Sequence, residues 1–305
     1  MEGCSVIYPR SLREGDRIAI VSPASRIDPA LVEGALPVLR KMGWEPYVAA
    51  SALGESGTYS GSADARLADI AEAVLDPSVR AILCSRGGYG AVHLLERFPV
   101  EEFVADPKWI IGFSDISALH ALASKLGVAS VHSSMCKNLA VNKGCDASAL
   151  SLFDILCGGD VCYEAAPHPY NHRGIAEGTL VGGNMAVLGG VVGTPYDIFN
   201  CLDPVIFIED IAEPIYKVER LLYQLKLNGT LGRARGLIVG QFTEYRPDRN
   251  YSCMYDMIRD MVSGLDIPVA FDFPIGHVDG NLPVVESAPC RLAVGSDVVT
   301  FSQTR

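Results

Sequence analysis

Short apolar runs alternate with stretches of helical periodicity in the first half of the chain. Residues 17–22, 81–85, 109–113 and 129–132 are apolar runs of strand length, and residues 29–42 and 115–126 carry apolar side chains at helical spacing. Strands that alternate with helices are typical of a parallel sheet with helices on both faces. We therefore predict an α/β domain over residues 1–150.

The pattern changes after this domain. Residues 151–174, which include CGGDVCYEAAPHPYNHRG, are rich in Gly, Pro, His and Tyr and show no sustained period, so we predict a linker. Beyond it we predict a long amphipathic helix at residues 214–227 and strands at residues 178–181, 205–209, 236–239 and 269–273. A last strand pair turns at Gly295 and Ser296. Residues 175–305 are therefore predicted to form a second, mixed α/β domain.

Charge and hydropathy limit the partners of the protein. The 25 basic and 36 acidic residues give a net charge of -11, and no run of Lys or Arg could neutralise a phosphate backbone, so nucleic acid is not an expected partner. The first twenty residues contain neither a signal-peptide apolar region nor a membrane span, so we expect a cytoplasmic protein without membrane contact. Cys4 is not expected to be a lipoprotein anchor, because nothing hydrophobic precedes it to direct export.

The nine cysteines are an odd number and include no CxxC pair. In a cytoplasmic chain they are predicted to be buried small hydrophobic residues rather than disulfides or zinc ligands. We therefore expect no metal site.

The segment IIGFSDISALH places Ser114 between a predicted strand and a predicted helix. Such a turn exposes the hydroxyl at the carboxyl edge of the sheet, and the amide of Asp115 lies at a helix N-terminus, where it can stabilise an oxyanion. Ser114 is therefore a candidate nucleophile. The alternative is that Ser114 or Asp115 only caps the helix. Ile116 departs from the G-x-S-x-G pattern of the α/β-hydrolases.

The segment SRGGYGAVHLLERF follows another predicted strand and begins with Arg86, Gly87 and Gly88 after its first serine. Glycine backbone can approach a ligand closely, so this loop could supply an oxyanion donor or bind a carboxylate. Its spacing does not match G-x-G-x-x-G, which disfavours a dehydrogenase. A plain tight turn is the alternative.

The second domain carries a candidate acid in VIFIEDIAEPIYKVERLLYQL, where an apolar strand ends at Glu209. A carboxylate at a strand end can orient a histidine that comes from another loop. Glu213 and Glu219 are competitors for this role, and an ordinary helix cap is the alternative.

The candidate general base is His277 in FPIGHVDGNLPV, a polar loop with glycine that follows an apolar strand. His93 and His120 lie at helical positions and are predicted to be structural, and His132, at a strand end, is a lesser candidate. A solvated loop histidine is the alternative for His277.

Together these segments resemble the muropeptide LD-carboxypeptidases, a serine peptidase family that also includes the microcin C self-immunity hydrolases. The resemblance extends over nearly the whole chain and rests on GDRIAIVSPAS from Gly15, SRGGYG from Ser85, GFSD from Gly112, GGN from Gly182, IEDIAEPIY from Ile208, and GH followed by Asn281. It implies Ser114 as nucleophile, His277 as base and Glu209 as orienting acid. It also implies an oxyanion hole from the amides of Asp115 and a glycine near Gly88.

The resemblance further implies a fold and a reaction. The fold would be an N-terminal flavodoxin-like or Rossmann-like sheet and a C-terminal domain with a mixed, barrel-like sheet, in a chain that can form homodimers. The reaction would release the terminal D-Ala of a cytoplasmic muropeptide tetrapeptide through an acyl-enzyme, without metal or cofactor. Arg86 is the nearest cation for the terminal carboxylate. Gly87 and Asn184 are expected to line the substrate site.

Two alternatives stay open at this point. An amidase that cleaves peptidyl or aminoacyl nucleotides favours an aromatic platform for the base, for which Tyr163 and Tyr170 are candidates. A protein that binds muropeptides without cutting them does not require a nucleophile, a base and an acid together.

Residues 132–135 are His-Ser-Ser-Met where many family members carry a segment like His-Gly-Pro-Met, so the backbone beside the site is expected to differ.

Overall fold

The structure is a computed structural model that describes residues 6–305, so Cys4 lies outside the described residues. The strands of this part of the chain are β1 (Arg17–Val21), β2 (Glu45–Val48), β3 (Val79–Cys84), β4 (Trp109–Gly112), β5 (Ser130–His132), β6 (Val161–Ala165), β7 (Gly174–Asn184), β8 (Pro204–Ile211), β9 (Gly236–Thr243), β10 (Val269–Ala270), β11 (Val284–Glu286), β12 (Pro289–Val294) and β13 (Val299–Gln303). The α-helices are α1 (Pro29–Lys41), α2 (Ala63–Leu75), α3 (Val100–Ala105), α4 (Ser117–Lys125), α5 (Cys136–Asn142), α6 (Ala147–Cys157), α7 (Met185–Gly189), α8 (Ile215–Leu227), α9 (Thr230–Arg233) and α10 (Met254–Val262). None of the helices described over residues 6–305 is both long and apolar enough to cross a bilayer.

The contacts divide the chain into two compact units. Unit 1 runs to Gly159 and takes in Leu282–Ser287, and unit 2 consists of Asp160–Asn281 and Ala288–Arg305. Strand β11 therefore belongs to unit 1 although it follows most of unit 2 in the sequence. The apolar pattern did not predict this return of the chain.

The sheet of unit 1 has the strand order β11-β5-β4-β3-β1-β2. Strands β1 to β5 are parallel to their neighbours, and β11 is antiparallel to β5. The order β2-β1-β3-β4-β5 is that of flavodoxin-like folds, in which ligands bind at the carboxyl ends of the strands. The predicted α/β fold is confirmed, with an added antiparallel edge strand. All residues of β4 are buried, as its continuous apolar sequence predicts.

The sheet of unit 2 has the order β10-β9-β8-β7-β12-β13-β6. Strands β7 to β10 are parallel to one another, and β12, β13 and β6 are antiparallel to their neighbours. The mixed α/β character is therefore confirmed. The order ends at β10 on one side and β6 on the other, so the barrel-like form of the sheet is not confirmed.

The segment predicted as an irregular linker contains regular structure, which corrects that expectation. Helix α6 covers its first residues and ends at Cys157, and its C-cap Gly158 has a φ of 106°, which favours glycine. Strand β6 also lies within it and pairs with β13. In β6, buried or half-buried residues alternate with the exposed Cys162 and Glu164. The Gly, Pro and His residues around this short strand concealed its alternation in the sequence.

Eight cysteines lie among the described residues, and all are free thiols. The expected burial applies to Cys84, Cys136 and Cys290, whereas Cys145, Cys157 and Cys162 are exposed. Over residues 6–305 no group of three or more His, Cys, Asp or Glu side chains is arranged to hold a metal ion.

Candidate active site

Ser114 lies in unit 1, at the turn that follows β4. Its φ is 65°, in the left-handed region that non-glycine residues rarely adopt. A short 3-10 helix, Ser114–Ile116, leads from it into α4. Such a conformation costs about 1–3 kcal/mol, so the surrounding structure must hold Ser114 in it. A sharp strand-to-helix turn of this kind is also how nucleophile elbows present a serine.

The cap alternative does not account for Ser114 and Asp115. The N-cap residue of α4 is Ile116, and neither α4 nor the preceding 3-10 helix has a side-chain cap bond among the described residues. The Asp115 carboxylate instead accepts a hydrogen bond from the amide of Ala91 at 2.8 Å. Its side chain therefore contacts the glycine loop.

The glycine loop packs directly on the nucleophile turn. A Cβ added to Gly87 would lie 2.8 Å from Ser114 Cβ and 3.2 Å from the amide nitrogen of Asp115. Gly88 has a φ of 115°, and a Cβ there would overlap the Ser25 hydroxyl. Only glycine fits at these two positions, so the loop backbone lies against Ser114 at Gly87 and against Ser25 at Gly88. The predicted oxyanion hole needs an approach as close as this.

Arg86 precedes these glycines and is exposed. Its Nη1 donates to the backbone carbonyl of Arg26 at 3.2 Å, which holds the side chain beside the loop. An exposed guanidinium in this position can bind a carboxylate bidentately. Carboxylate recognition by Arg86 stays a prediction.

The buried histidines of unit 1 have the geometry of structural residues. His120 Nε2 lies 2.8 Å from the carbonyl oxygen of Gly112 and Nδ1 lies 2.8 Å from Ser130 Oγ. Because a carbonyl only accepts, Nε2 carries the proton. Burial lowers the pKa of His120 to about 4, so the ring stays neutral. His132 is also buried, with its ring centroid 5.9 Å from that of Phe113.

Glu209 and His277 form a close pair in unit 2. His277 Nδ1 lies 2.6 Å from Glu209 Oε2, and the Glu209 side chain is 0% exposed. Glu213, the competitor, instead lies 3.3 Å from Lys217 Nζ. An acceptor at Nδ1 keeps the proton of the neutral ring on that nitrogen and makes Nε2 the basic one, which is the tautomer a general base needs.

Gly276 allows this pair to form. It has a φ of 126°, and a Cβ there would lie 2.9 Å from Glu209 Cβ. Its amide donates to Oδ1 of the buried Asn281 at 2.8 Å. The hydrogen bond between Gly276 and Asn281, both part of the motif seen in the sequence, thus holds the backbone before His277 against Glu209.

Negative charge surrounds His277. Burial alone lowers the pKa of His277, but the hydrogen bond and charge of Glu209, with the charges of Asp210 and Glu244, outweigh it and raise the pKa above its ordinary value. Burial and the charge of Glu209 likewise raise the pKa of Asp210 to about 6. This environment stabilises the protonated ring that a general base forms when it takes up a proton.

Asn184 ends β7 in the same unit. Its Nδ2 donates to Asp210 Oδ1 at 2.8 Å, and its Oδ1 accepts from the amide of Val187 at 3.2 Å. Asp210 also accepts from the amide of Ala186 at 2.9 Å. These contacts hold Asp210 and the start of α7, and substrate binding by Asn184 stays a prediction. Asp210 was not among the residues predicted from the sequence, and its position beside Glu209 is the one sequence signal that could have indicated it.

The two parts of the chain match one family. Residues 18–133 match the LD-carboxypeptidase N-terminal domain of peptidase family S66, and residues 177–292 match the LD-carboxypeptidase C-terminal domain. A probable murein peptide carboxypeptidase of Bacillus subtilis is 32% identical over 288 residues, which covers 90% of this chain and 88% of the relative. The chain belongs to the LD-carboxypeptidase family. It is thus, by family, a serine-type carboxypeptidase and a hydrolase.

Further comparisons agree with this LD-carboxypeptidase assignment. The murein tetrapeptide carboxypeptidase of Pseudomonas aeruginosa is 27% identical, with 86% of this chain and 88% of the relative covered. The crystal structure of muramoyltetrapeptide carboxypeptidase from Oxalobacter formigenes gives a TM-score of 0.86 at 25% identity, over 95% of this chain and 99% of that one. The microcin C7 self immunity protein MccF gives 0.86 at 22% identity, over 97% of each chain, which shows a shared fold.

Proposed function

We propose that this LD-carboxypeptidase removes the C-terminal D-Ala from muropeptide tetrapeptides, with Ser114, His277 and Glu209 as its catalytic triad. The observation that carries the proposal is the 2.6 Å contact between His277 Nδ1 and the buried Glu209, because it provides a general base of defined tautomer. The names of the Bacillus, Pseudomonas and Oxalobacter proteins support a murein peptide as the substrate.

In the proposed mechanism, Ser114 Oγ attacks the scissile carbonyl while His277 Nε2 takes its proton. The tetrahedral intermediate collapses to an acyl-enzyme as His277 returns the proton to the leaving amine of D-Ala. Water then attacks the ester with His277 Nε2 again as base. The bond between the acyl carbon and Ser114 Oγ breaks as His277 returns the proton to that oxygen, and the tripeptide is released as its carboxylate. The amides of Asp115 and a glycine near Gly88 stabilise the oxyanion of the tetrahedral intermediate in acylation and in deacylation.

The terminal carboxylate of the substrate is assigned to Arg86. Its guanidinium lies on the glycine loop directly before Gly87, the residue that contacts Ser114, so both can line one substrate position. The proposal also includes cytoplasmic cell-wall recycling and a homodimer. Cell fractionation and light scattering test these two parts.

The proposed function is tested by incubating the protein with a muramyl tetrapeptide that ends in D-Ala and measuring D-Ala release by mass spectrometry. We expect release by the wild type and none by Ser114→Ala. Ser263→Ala is the matched control, because its hydroxyl donates to the carbonyl of Asp260 on the surface of unit 2, and it should keep full activity. Release that persists in Ser114→Ala would contradict the nucleophile.

No release by the folded wild type would contradict the substrate and favour an aminoacyl nucleotide. That alternative would need an exposed aromatic platform. The candidate Tyr170 already donates its hydroxyl to Asp256 at 2.7 Å, and the guanidinium of Arg259 lies 4.8 Å from its ring centroid. Tight muropeptide binding without any release would instead indicate a binding protein.

A further inference from the structure

Asp115 connects the nucleophile turn to the glycine loop through its side chain as well as its backbone. It is 2% exposed, and its Oδ2 accepts a hydrogen bond from the amide of Ala91. Burial raises the pKa of Asp115, against the opposing effect of the amides of Ala91 and Gly90. A buried carboxylate is costly unless hydrogen bonds satisfy it, and the amide of Ala91 provides such a bond.

Arg66 holds the same end of the loop from helix α2. It is 2% exposed, and its Nη1 donates to the carbonyl oxygen of Gly90 at 2.9 Å and to that of Pro23. Its Nε donates to the carbonyl oxygen of Gly61 at 3.2 Å. Its Nη2 lies 3.2 Å from His93 Nδ1, which must accept because a guanidinium only donates. Contacts on all three nitrogens fix the guanidinium in place.

These two side chains bind opposite sides of a single peptide group. The carbonyl of Gly90 and the amide of Ala91 belong to the same planar unit. Arg66 binds its oxygen and Asp115 binds its nitrogen, so the plane cannot rotate without breaking a charge-assisted hydrogen bond. Gly90 has a φ of 126°. Because glycine adopts positive and negative φ about equally readily, its own conformational preference does not fix the backbone here.

We propose that Asp115 and Arg66 are positioning residues that set the oxyanion hole by fixing the peptide group between Gly90 and Ala91. The proposal deepens the proposed function and rests on it. Three of the four loop residues from Gly87 to Gly90 are glycines, which provide little rigidity of their own. The loop is therefore held at one end by its packing on Ser114 and at the other by this peptide group. Oxyanion donors act only when their placement is accurate to about 0.5 Å, so a free peptide group should cost catalysis.

The test measures Asp115→Ala by hydrogen–deuterium exchange of residues 86–91 and by kcat and KM for D-Ala release. We expect faster exchange confined to this loop, a kcat lower by about 10²-fold and little change in KM. Asp115→Asn should recover part of both effects, because an amide oxygen still accepts the Ala91 hydrogen bond. Arg66→Lys should speed loop exchange in the same way, because a lysine cannot reproduce the guanidinium contacts.

Asp69→Ala is the matched control. Asp69 lies on α2 like Arg66 and is 4% exposed, but its carboxylate accepts its hydrogen bonds from the amide and hydroxyl of Ser51. It should lose stability while loop exchange and kcat stay near wild type. Unchanged loop exchange in Asp115→Ala, or a rise spread over all of unit 1 as in Asp69→Ala, would overturn the proposal. The exchange measurement needs no substrate, so loop release in a protein that frees no D-Ala would reject the proposed function and not the positioning.

Discussion

The two halves of the proposed active site are built by different means. In unit 1, backbone packing does the positioning: Ser114 is held in a left-handed conformation, and Gly87 touches it because a side chain is absent. In unit 2, side chains and charge do the positioning: the buried Glu209 holds His277, and neighbouring carboxylates raise its pKa. The first half should therefore fail when atoms are added, and the second when charge is removed.

Removal of charge from the unit 2 half should have the largest effect. In Glu209→Gln the proton of His277 is no longer fixed on Nδ1, so kcat/KM for D-Ala release should fall by about 10³–10⁴-fold. The pKa of His277 should fall as well, because the main charge that raises it is gone. Activity rises with pH as His277 loses its proton, so this acid limb of the pH–rate profile should move to lower pH.

Glu213→Gln is the matched control for Glu209→Gln. Glu213 follows β8, the strand that contains Glu209, and is 24% exposed, but its neighbour is Lys217 rather than the histidine. It should leave kcat/KM and the acid limb almost unchanged. A large loss in Glu213→Gln with little loss in Glu209→Gln would show that the wrong acid has been assigned.

Addition of one carbon to the unit 1 half should have the next largest effect. In Gly87→Ala the new Cβ would come within 2.9 Å of Ser114 Oγ, so the nucleophile turn must shift and kcat should fall by about 10²–10³-fold. The acid limb should stay where it is, because no charge near His277 changes. Gly232→Ala is the control, since nothing lies within 4 Å of a Cβ there. Near-normal turnover by Gly87→Ala would mean that the loop does not constrain Ser114.

Glu244→Gln should have the smallest effect and sharpen the electrostatic side of the comparison. Glu244 is one of the charges that raise the pKa of His277, but it is exposed and solvent screens it. The acid limb should move slightly to lower pH with an unchanged plateau. Glu164→Gln, at an exposed position of β6, is the control and should leave the acid limb unmoved. If the acid limb does not move in Glu244→Gln, Glu244 does not contribute to the raised pKa of His277.

Much of the fold could be predicted because buried parallel strands carry unbroken apolar runs. Strands β1, β4 and β8 begin within a residue of their predicted positions, and the long helix α8 begins one residue after its predicted start. Ser114, Glu209 and His277 were candidates because each stands at or after the end of such a run, where the carboxyl edge of a parallel sheet presents side chains.

Other features leave no local signal in the sequence. The choice between Glu209 and Glu213 depends on which carboxylate reaches His277, a contact across 68 positions of the chain. Arg66 donates a hydrogen bond to the carbonyl oxygen of Gly90, 24 residues later in the chain, and the residues around Arg66 give no indication of that partner. Strand β11 is only three residues long, and it pairs with β5 far back in the chain, so no periodicity could assign it to the first sheet.

That late return of the chain has a consequence for biosynthesis. Until β11 emerges from the ribosome, β5 is the uncovered edge of the parallel sheet, and an open edge is a template for pairing with other chains. The six-stranded sheet of unit 1 therefore cannot be completed until most of unit 2 has been synthesised. A chain truncated before β11 should leave β5 without its antiparallel partner, so unit 1 should be less stable in that chain than in the full-length protein.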